Sequence, residues 1–183
     1  MKRQSGFNLT ELVIVVAIVA ILLSVGVPSY RYITNSYRMT SEVNGLLGDL
    51  MYARAEAIKE GLGVTVCVSN GVNCLPNTSW QNGWVVFSNP NNAANPPAGS
   101  ILRTQAPFTG PGGVADSFIA SNGVSTVTYN REGFATTAAG FNATTITLHD
   151  QTANAAWTRC LLISPVGTYT SETPANSPSG TCL

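Results

Sequence analysis

The first sixty residues carry two successive apolar patterns. From Leu12 to Val27 sixteen residues form an apolar run that only Ser24 and Gly26 interrupt. A helix of about 20 residues spans the roughly 30 Å of hydrocarbon in a bilayer, and residues 7–27 number 21. Lys2 and Arg3 precede the run, and basic residues favour the cytoplasmic side. The pattern predicts a transmembrane helical segment over 7–28.

The helical pattern continues beyond the apolar run, but it becomes amphipathic. Over 29–60 most apolar residues recur at gaps of three, four or seven, which indicates one buried helix face. Gly61 and Gly63 end the pattern, and Pro28 is expected to bend the helix. The apolar positions are Tyr30, Ile33, Tyr37, Val43, Leu46, Leu47, Leu50, Ala53, Ala57 and Ile58.

Short β-type runs replace the helical pattern after residue 61. Turn-rich stretches at 89–99 and 170–181 separate some of them and are expected to be exposed loops. The sequence therefore predicts an α+β fold, in which the long N-terminal helix packs on an antiparallel β-sheet head formed by 61–183. The predicted strands are 63–68, 83–87, 101–105, 125–130, 144–149 and 157–164.

Charge is scarce in this chain, at 10% of residues against the usual quarter. From Ser36 onwards there are six Lys and Arg and eight Asp and Glu, a formal charge of −2. This balance argues against a strong non-specific attraction to nucleic acid.

Four cysteines, Cys67, Cys74, Cys160 and Cys182, all follow the apolar run. An even number in an exported domain indicates two disulfides, each contributing about 2–4 kcal/mol. Three pairings are possible, and proximity in sequence favours Cys67–Cys74 with Cys160–Cys182. A zinc site is the alternative, but neither pair has the usual ligand spacing.

No motif for catalysis stands out. The single histidine, His149, precedes Asp150, but no G-x-S-x-G nucleophile motif and no phosphate-binding loop accompany them. We expect His149 at the end of a strand, on the surface. The sequence predicts a protein that is not an enzyme, without catalytic residues, a cofactor or a metal site.

Glu11 lies at the edge of the apolar run, where a carboxylate costs about 2–3 kcal/mol on insertion scales. A cleaved signal peptide is one explanation of the run, but residues 24–28 make a poor cleavage site. A plain membrane anchor is another, and it leaves Glu11 unexplained. An acid in this position is usually functional, and a cation beside it would lower the cost.

The stretch SGFNLTE at 5–11, followed by the apolar run, resembles the leader of type IV pilins. The resemblance implies that residues 1–6 are a leader peptide, cut after Gly6 by a membrane prepilin peptidase. Phe7 would become the N-methylated first residue, and Glu11 would pair with the α-amino group of Phe7 on the same or a neighbouring subunit. Pro28 falls where the family often bends its helix. The NLT at 8–10 departs from the more common TLI.

The head carries a second resemblance, to the GspH/FimT group. This group comprises minor pilins of type IV pili and a minor pseudopilin of type II secretion, so the resemblance covers nearly the whole chain. The matching stretches are ARAEA at 53–57, GWVVF at 83–87 after Trp80, YNREG at 129–133 and RCLLIS at 159–164.

Some members of this group bind DNA through a C-terminal Gly-Arg-x-Arg motif. The matching place here is GTYT at 167–170, which lacks both arginines. Clustered cations are what duplex DNA requires. The cations nearest to this place in the sequence are Arg159, Arg131 and Arg103.

Together the resemblances imply a minor pilin-like subunit of a type IV pilus, acting in an initiation or tip complex. Residues 7–28 would be the transmembrane half of the helix, 29–60 its amphipathic half, and 61–183 a periplasmic, later extracellular, head. The implied partners are prepilin peptidase, inner-membrane lipid, and major and minor pilins or pseudopilins joined through N-terminal helices. The alternatives are a type II secretion minor pseudopilin and a DNA-binding minor pilin in natural transformation.

Overall fold

The computed structural model describes residues 8–136 and 140–182. The chain divides into two compact units, 1–38 and 39–183, which are taken separately. One helix, α1 (Leu9–Glu60), contributes to both units. The strands are β1 (Val64–Val68), β2 (Trp84–Ser88), β3 (Ile101–Gln105), β4 (Ser117–Ala120), β5 (Thr126–Tyr129), β6 (Ala135–Thr136), β7 (Thr144–His149), β8 (Arg159–Ile163) and β9 (Tyr169–Glu172).

The described part of the N-terminal unit is helical from Leu9 onwards. Every residue over 8–34 is exposed. The helix assignment runs through Pro28 without a break. A single helix with apolar residues on all sides cannot bury them against itself, so this segment requires lipid or other apolar helices around it.

The second half of α1 belongs to the head and buries one stripe of its surface. The buried residues follow gaps of four and three, so they lie on one face of the helix. This is the face that the sequence pattern indicates, and it packs into the core of the head. The stripe consists of Met39, Val43, Leu46, Leu50, Ala53 and Ala57.

Two antiparallel sheets form the rest of the head. The five-stranded sheet has the order β3-β2-β1-β5-β6, and the four-stranded sheet the order β4-β7-β8-β9. Alternate residues of the first sheet enter the core that α1 covers. Cys67, Val85 and Phe87 form a second buried cluster with Cys74 on the opposite face of this sheet. The main core includes Val64, Val66, Val68, Trp84, Val86, Val127 and Tyr129.

The four-stranded sheet contributes its own residues to the same core. Phe108 bridges the two sheets, because its ring meets Trp84 edge-on at 5.6 Å and stacks on Phe118 at 5.9 Å. Aromatic pairs in these arrangements add to the free energy of burial. The other large core residues of this sheet are Ile146, Leu148, Leu161 and Ile163.

The strands differ from expectation in three places. The structure adds β4 and β6, and β9 extends into the start of the stretch 170–181 that the sequence pattern assigned to an exposed loop. Glu172 in that stretch is 5% exposed, and Cys182 directly after it is 2% exposed. The prediction of a loop is therefore wrong for residues 170–172, which pair with β8, whereas most residues over 173–181 are exposed as expected.

Arg54 of α1 connects the helix to turns of both sheets. Its Nε donates to the Gly133 carbonyl oxygen at 2.9 Å, in the turn between β5 and β6. Its Nη1 donates to the Gly167 carbonyl at 2.7 Å and its Nη2 to that of Val166 at 3.2 Å, in the turn between β8 and β9. One guanidinium thus satisfies three backbone acceptors in two turns that are far apart in the chain.

Asp49, one and a half turns earlier in α1, holds the edge of the five-stranded sheet. Its carboxylate accepts the Trp84 indole N–H at 2.9 Å and pairs with Arg103 Nη1 at 3.0 Å. The Arg103 guanidinium also lies 3.8 Å from the centre of the Tyr52 ring. Arg103 therefore binds residues of the head itself.

Candidate functional site

The predicted processing site lies outside the described residues, since these begin at Asn8 and the site is Gly6 with Phe7. Glu11 is described, and it occupies the first turn of α1 with its side chain exposed. A carboxylate in the first turn interacts favourably with the helix dipole. The pairing of Glu11 with the α-amino group of Phe7 stays a prediction, because Phe7 lies outside the described residues.

Asn8 caps the start of α1, a feature that the sequence reading missed. The Thr10 N–H donates to Asn8 Oδ1 at 3.4 Å, and the Leu12 N–H donates to the Asn8 carbonyl at 3.2 Å. Asparagine is among the preferred N-cap residues. The sequence does contain a signal for this cap, because Glu11 follows Asn8 at the three-residue spacing of a capping box. Asn8 therefore fixes Glu11 at the third position of the helix.

The apolar segment that follows is long enough to cross a bilayer. By length and composition α1 is the one helix of the described residues that meets this test. The hydroxyl of Ser24, inside the segment, donates to the Ile21 carbonyl at 2.7 Å. A hydroxyl bonded within its own helix does not need water, so Ser24 is compatible with hydrocarbon.

Pro28 lies near the end of the apolar segment, inside α1. Proline has no N–H, so the carbonyl of Ser24, four residues earlier, loses its usual helical donor. The bend at Pro28 stays a prediction.

Both pairs of cysteines are bonded in the head. Cys67 is joined to Cys74 and closes the loop after β1, and Cys160 of β8 is joined to Cys182 near the chain end. These are the two pairs with the shortest separations in sequence, 7 and 22 residues. The second bridge fastens the segment after β9 to a central strand of the four-stranded sheet.

Glu172 at the end of β9 organises the same segment. Its carboxylate accepts the hydroxyls of Ser179 at 2.6 Å and Ser177 at 2.7 Å, and also the Ser179 N–H at 3.3 Å. The hydrogen bond from Ser179, followed by that from Ser177, holds the pKa of Glu172 below its ordinary value. These bonds favour the charged carboxylate, so the attachment of the segment depends on pH.

Glu172→Gln is expected to lower the thermal unfolding midpoint at neutral pH and to have a smaller effect near pH ~3. A lowered folded-state pKa gives stability that is present above the unfolded pKa of about 4.3 and is lost as the pH falls through the folded value. Unfolding of both proteins, followed by circular dichroism across this range, measures the difference. Ser179→Ala should reproduce part of the loss at neutral pH. An equal effect of Glu172→Gln at both pH values would contradict this account.

The turn that corresponds to the DNA-binding motif contains no arginine but contacts one. Arg54 donates to the carbonyls of Val166 and Gly167 in that turn. The sequence reading named Arg159, Arg131 and Arg103 as the nearest candidates and did not associate Arg54 with it. The Arg54 donors are directed at backbone carbonyls, not at a ligand.

The described residues contain no cluster of three or more His, Cys, Asp or Glu side chains suited to a metal ion. His149 ends β7 and is half-buried, with its Nδ1 3.0 Å from the Asp150 carbonyl oxygen. Its neighbour Asp150 accepts hydrogen bonds from Thr152 Oγ1 and the Asn154 N–H, which stabilise the following turn.

Comparison with family models matches two parts of the chain. Residues 1–27 match the prokaryotic N-terminal methylation motif, and residues 42–167 match the family described as type II transport protein GspH. The second match covers most of the chain. The chain belongs to the GspH family. Members of this family are structural pilin-like proteins and not enzymes.

Two kinds of curated relative resemble the GspH-family chain over part of its length. A "Probable minor fimbrial protein" of Dichelobacter nodosus is 36% identical over 86 residues, which cover 45% of this chain and 50% of that protein. A "Fimbrial protein" of Pseudomonas aeruginosa is 43% identical over 61 residues, covering 33% of this chain and 39% of that protein. The chain thus spans half or less of the length of these relatives.

Solved structures share the fold. Two crystal structures of the type IV minor pilin FimU of Pseudomonas aeruginosa align with TM-scores of 0.55 and 0.58, at 20% and 17% identity. They cover 78% and 80% of this chain, and the alignments include 97% and 94% of FimU. The long helix with antiparallel sheets is therefore a type IV pilin-like fold, as the sequence predicted.

These findings together identify a minor pilin or pseudopilin of the type IV pilin class. The class implies association with other pilins in a fibre, and the N-terminal apolar helix indicates membrane anchoring. The methylation motif implies processing by prepilin peptidase.

Proposed function

We propose that this chain is a minor subunit of a type IV pilus, acting in an initiation or tip complex that primes fibre assembly. The observation that carries the proposal is the exposed apolar segment of α1, which begins beside Glu11 and requires other helices once it leaves lipid. The fimbrial names of the curated relatives favour a pilus.

In this proposal the chain is made with a leader, 1–6, and is held in the inner membrane by 7–28. Prepilin peptidase cuts after Gly6, and Phe7 is methylated. The amphipathic half, 29–60, and the head, 61–183, face the periplasm and later the outside. The new α-amino group of Phe7 provides the cation that Glu11 needs within an apolar bundle, which sets the axial position of the subunit.

A second candidate is a minor pseudopilin of a type II secretion system. The description of the matched family, a type II transport protein, favours it. The two candidates share the leader, the apolar helix and Glu11, so only the cellular readout separates them.

The deciding experiment compares fibres sheared from cells with and without this gene, alongside secretion of folded proteins. Loss of fibres, restored by the wild-type gene, is expected if the chain primes pilus assembly. Unchanged fibres with lost secretion would instead support the pseudopilin. Unchanged fibres and secretion would contradict both candidates.

Replacement of Gly6 by a bulkier residue, as in Gly6→Val, is expected to abolish cleavage of the leader. The peptidase of the family cuts after glycine, and a β-branched side chain at this position would obstruct the scissile bond. An immunoblot of membranes should show only the slower-migrating precursor. Ser5→Val is the matched control one residue earlier and should be cleaved. Normal processing of Gly6→Val would show that the leader assignment is wrong.

A further inference from the structure

Three residues just beyond the apolar run combine aromatic and cationic character. Tyr30, Arg31 and Tyr32 follow Val27 after the dipeptide Pro28-Ser29. All three are exposed, and the tyrosines are 71% and 52% exposed. Tyrosine rings prefer the boundary between hydrocarbon and water, because one end of the ring is apolar and the other polar.

The position of this triplet along α1 matches the headgroup layer of a bilayer. Leu9 to Val27 are 19 residues, about 28 Å of helix, which corresponds to the roughly 30 Å of hydrocarbon. Residues 30–32 then lie about 4.5–7.5 Å beyond Val27. The headgroup layer on each side is about 5–8 Å thick. All three side chains fall within it.

Charge in this part of the helix favours an anionic partner for Arg31. Between Glu11 and Glu42 the chain has no Asp or Glu. The ion pairs found among the described residues do not include Arg31. Guanidinium groups bind phosphate oxygens with two parallel hydrogen bonds, and they are less strongly hydrated than ammonium groups.

The arrangement around the helix favours lipid over a neighbouring helix. Successive residues rotate by about 100°, so Tyr30, Arg31 and Tyr32 point in three different directions. A second helix would cover only one face of α1, such as the face formed by Tyr30, Ile33 and Tyr37. A headgroup layer surrounds the helix and contacts all three residues at one depth.

We propose that Tyr30, Arg31 and Tyr32 are an interfacial anchor that binds phospholipid headgroups of the leaflet nearer the head. The Arg31 guanidinium contacts the lipid phosphate, and the two rings lie at the level of the glycerol backbone. This inference rests on the membrane insertion in the proposed function. Arg31 is 20 residues beyond Glu11, about 30 Å along the helix, so the anchor holds Glu11 at the opposite edge of the hydrocarbon.

The experiment measures helix depth in the full chain, reconstituted in vesicles of phosphatidylethanolamine and phosphatidylglycerol. All four native cysteines are in disulfides, so Ser29→Cys supplies a single thiol for a nitroxide spin label. Accessibility of the label to oxygen and to a water-soluble nickel chelate reports its depth. The test variant is Arg31→Leu, and the matched control is Arg38→Leu, about 10 Å further along the helix.

Arg31→Leu is expected to draw the label inward by about one helical turn, ~5 Å, with more contact to oxygen and less to nickel. Arg38→Leu should leave the depth unchanged. An unchanged depth in Arg31→Leu, an equal shift in both variants, or a depth that varies with the protein-to-lipid ratio would overturn the anchor. A label at Val19→Cys separates the two proposals. Contact with nickel there would overturn membrane insertion itself, and the anchor with it.

Discussion

A chain with Glu11→Ala is expected to insert and to be cleaved normally, but to enter fibres about 30-fold less than wild type. A carboxylate at the edge of the hydrocarbon costs about 2–3 kcal/mol alone, and the proposed pairing with the α-amino group of Phe7 in a fibre would recover much of it. Loss of about 2 kcal/mol of this coupling corresponds to about 30-fold in an equilibrium constant. Immunoblots of sheared fibres and of membranes measure the ratio.

Two further variants separate charge from other roles of Glu11. Glu11→Gln keeps the size and most hydrogen bonds of the side chain, and it should assemble as poorly as alanine if the ion pair matters. Glu60→Ala removes an exposed acid at the other end of the same helix and should assemble normally. The interaction of Glu11 with the helix dipole is smaller, about 0.3–1 kcal/mol. Normal incorporation of Glu11→Ala into fibres would contradict the proposed role of Glu11 in assembly.

The helix could be predicted from sequence because its signals are local. The gaps of three and four residues between apolar positions predicted the buried stripe from Val43 to Ala57, to which the structure adds Met39. Its end at Glu60 follows from Gly61, which adopts a φ of 68°, a conformation that glycine adopts most easily. Six strands were predicted within two residues of their observed bounds, since each is a short apolar run between turn residues.

The elements that were missed depend on partners far away in sequence. β6 has only two residues, and it exists because Thr136 and Ala135 pair with β5. β9 is largely polar, and its pairing with β8 defines it. The division of the strands into two sheets also depends on non-local pairing, which composition and periodicity do not encode.

The candidate site shows the same difference between features with local signals and features that depend on distant partners. The leader and Glu11 form one short stretch, so a local motif carries the prediction of their roles, which stays a prediction. Arg54 lies in a stretch that served only as a family marker, because its partners Gly133 and Gly167 are 79 and 113 residues away. No local pattern identifies which turns a helix side chain will meet after folding.

Arg54→Ala is expected to lower the free energy of unfolding of the head by about 3 kcal/mol. A hydrogen bond from a charged group contributes about 1.5–3 kcal/mol, and Arg54 makes three. The expected loss is smaller than their sum because water satisfies some of the freed carbonyls in the variant. Guanidinium chloride unfolding of the full chain in detergent, with the disulfides intact, measures the change. Trp80 and Trp84 are fully buried, so their fluorescence reports loss of the core.

Gly167, whose carbonyl accepts from Arg54, provides an independent test from the other side of this contact. A Cβ at Gly167 would meet the Gly133 carbonyl oxygen and come within 2.9 Å of Arg54 Nε, and the residue has a φ of 75°. Gly99 has a nearly identical φ of 74°, but a Cβ there would meet nothing within 4 Å. Gly99→Ala therefore costs only backbone strain, about 1–2 kcal/mol, and Gly167→Ala should cost clearly more.

Arg54→Lys distinguishes the geometry of the guanidinium from its charge. Lysine keeps the charge but lacks the planar fork that reaches two turns at once, so it should retain less than half of the stabilisation. Arg54→Ala combined with Gly167→Ala should cost less than the sum of the two, because residues that share a contact are coupled. A loss below about 1 kcal/mol in Arg54→Ala, less than one charged hydrogen bond, would mean that water satisfies these carbonyls. In that case the core alone would hold α1 on the two sheets.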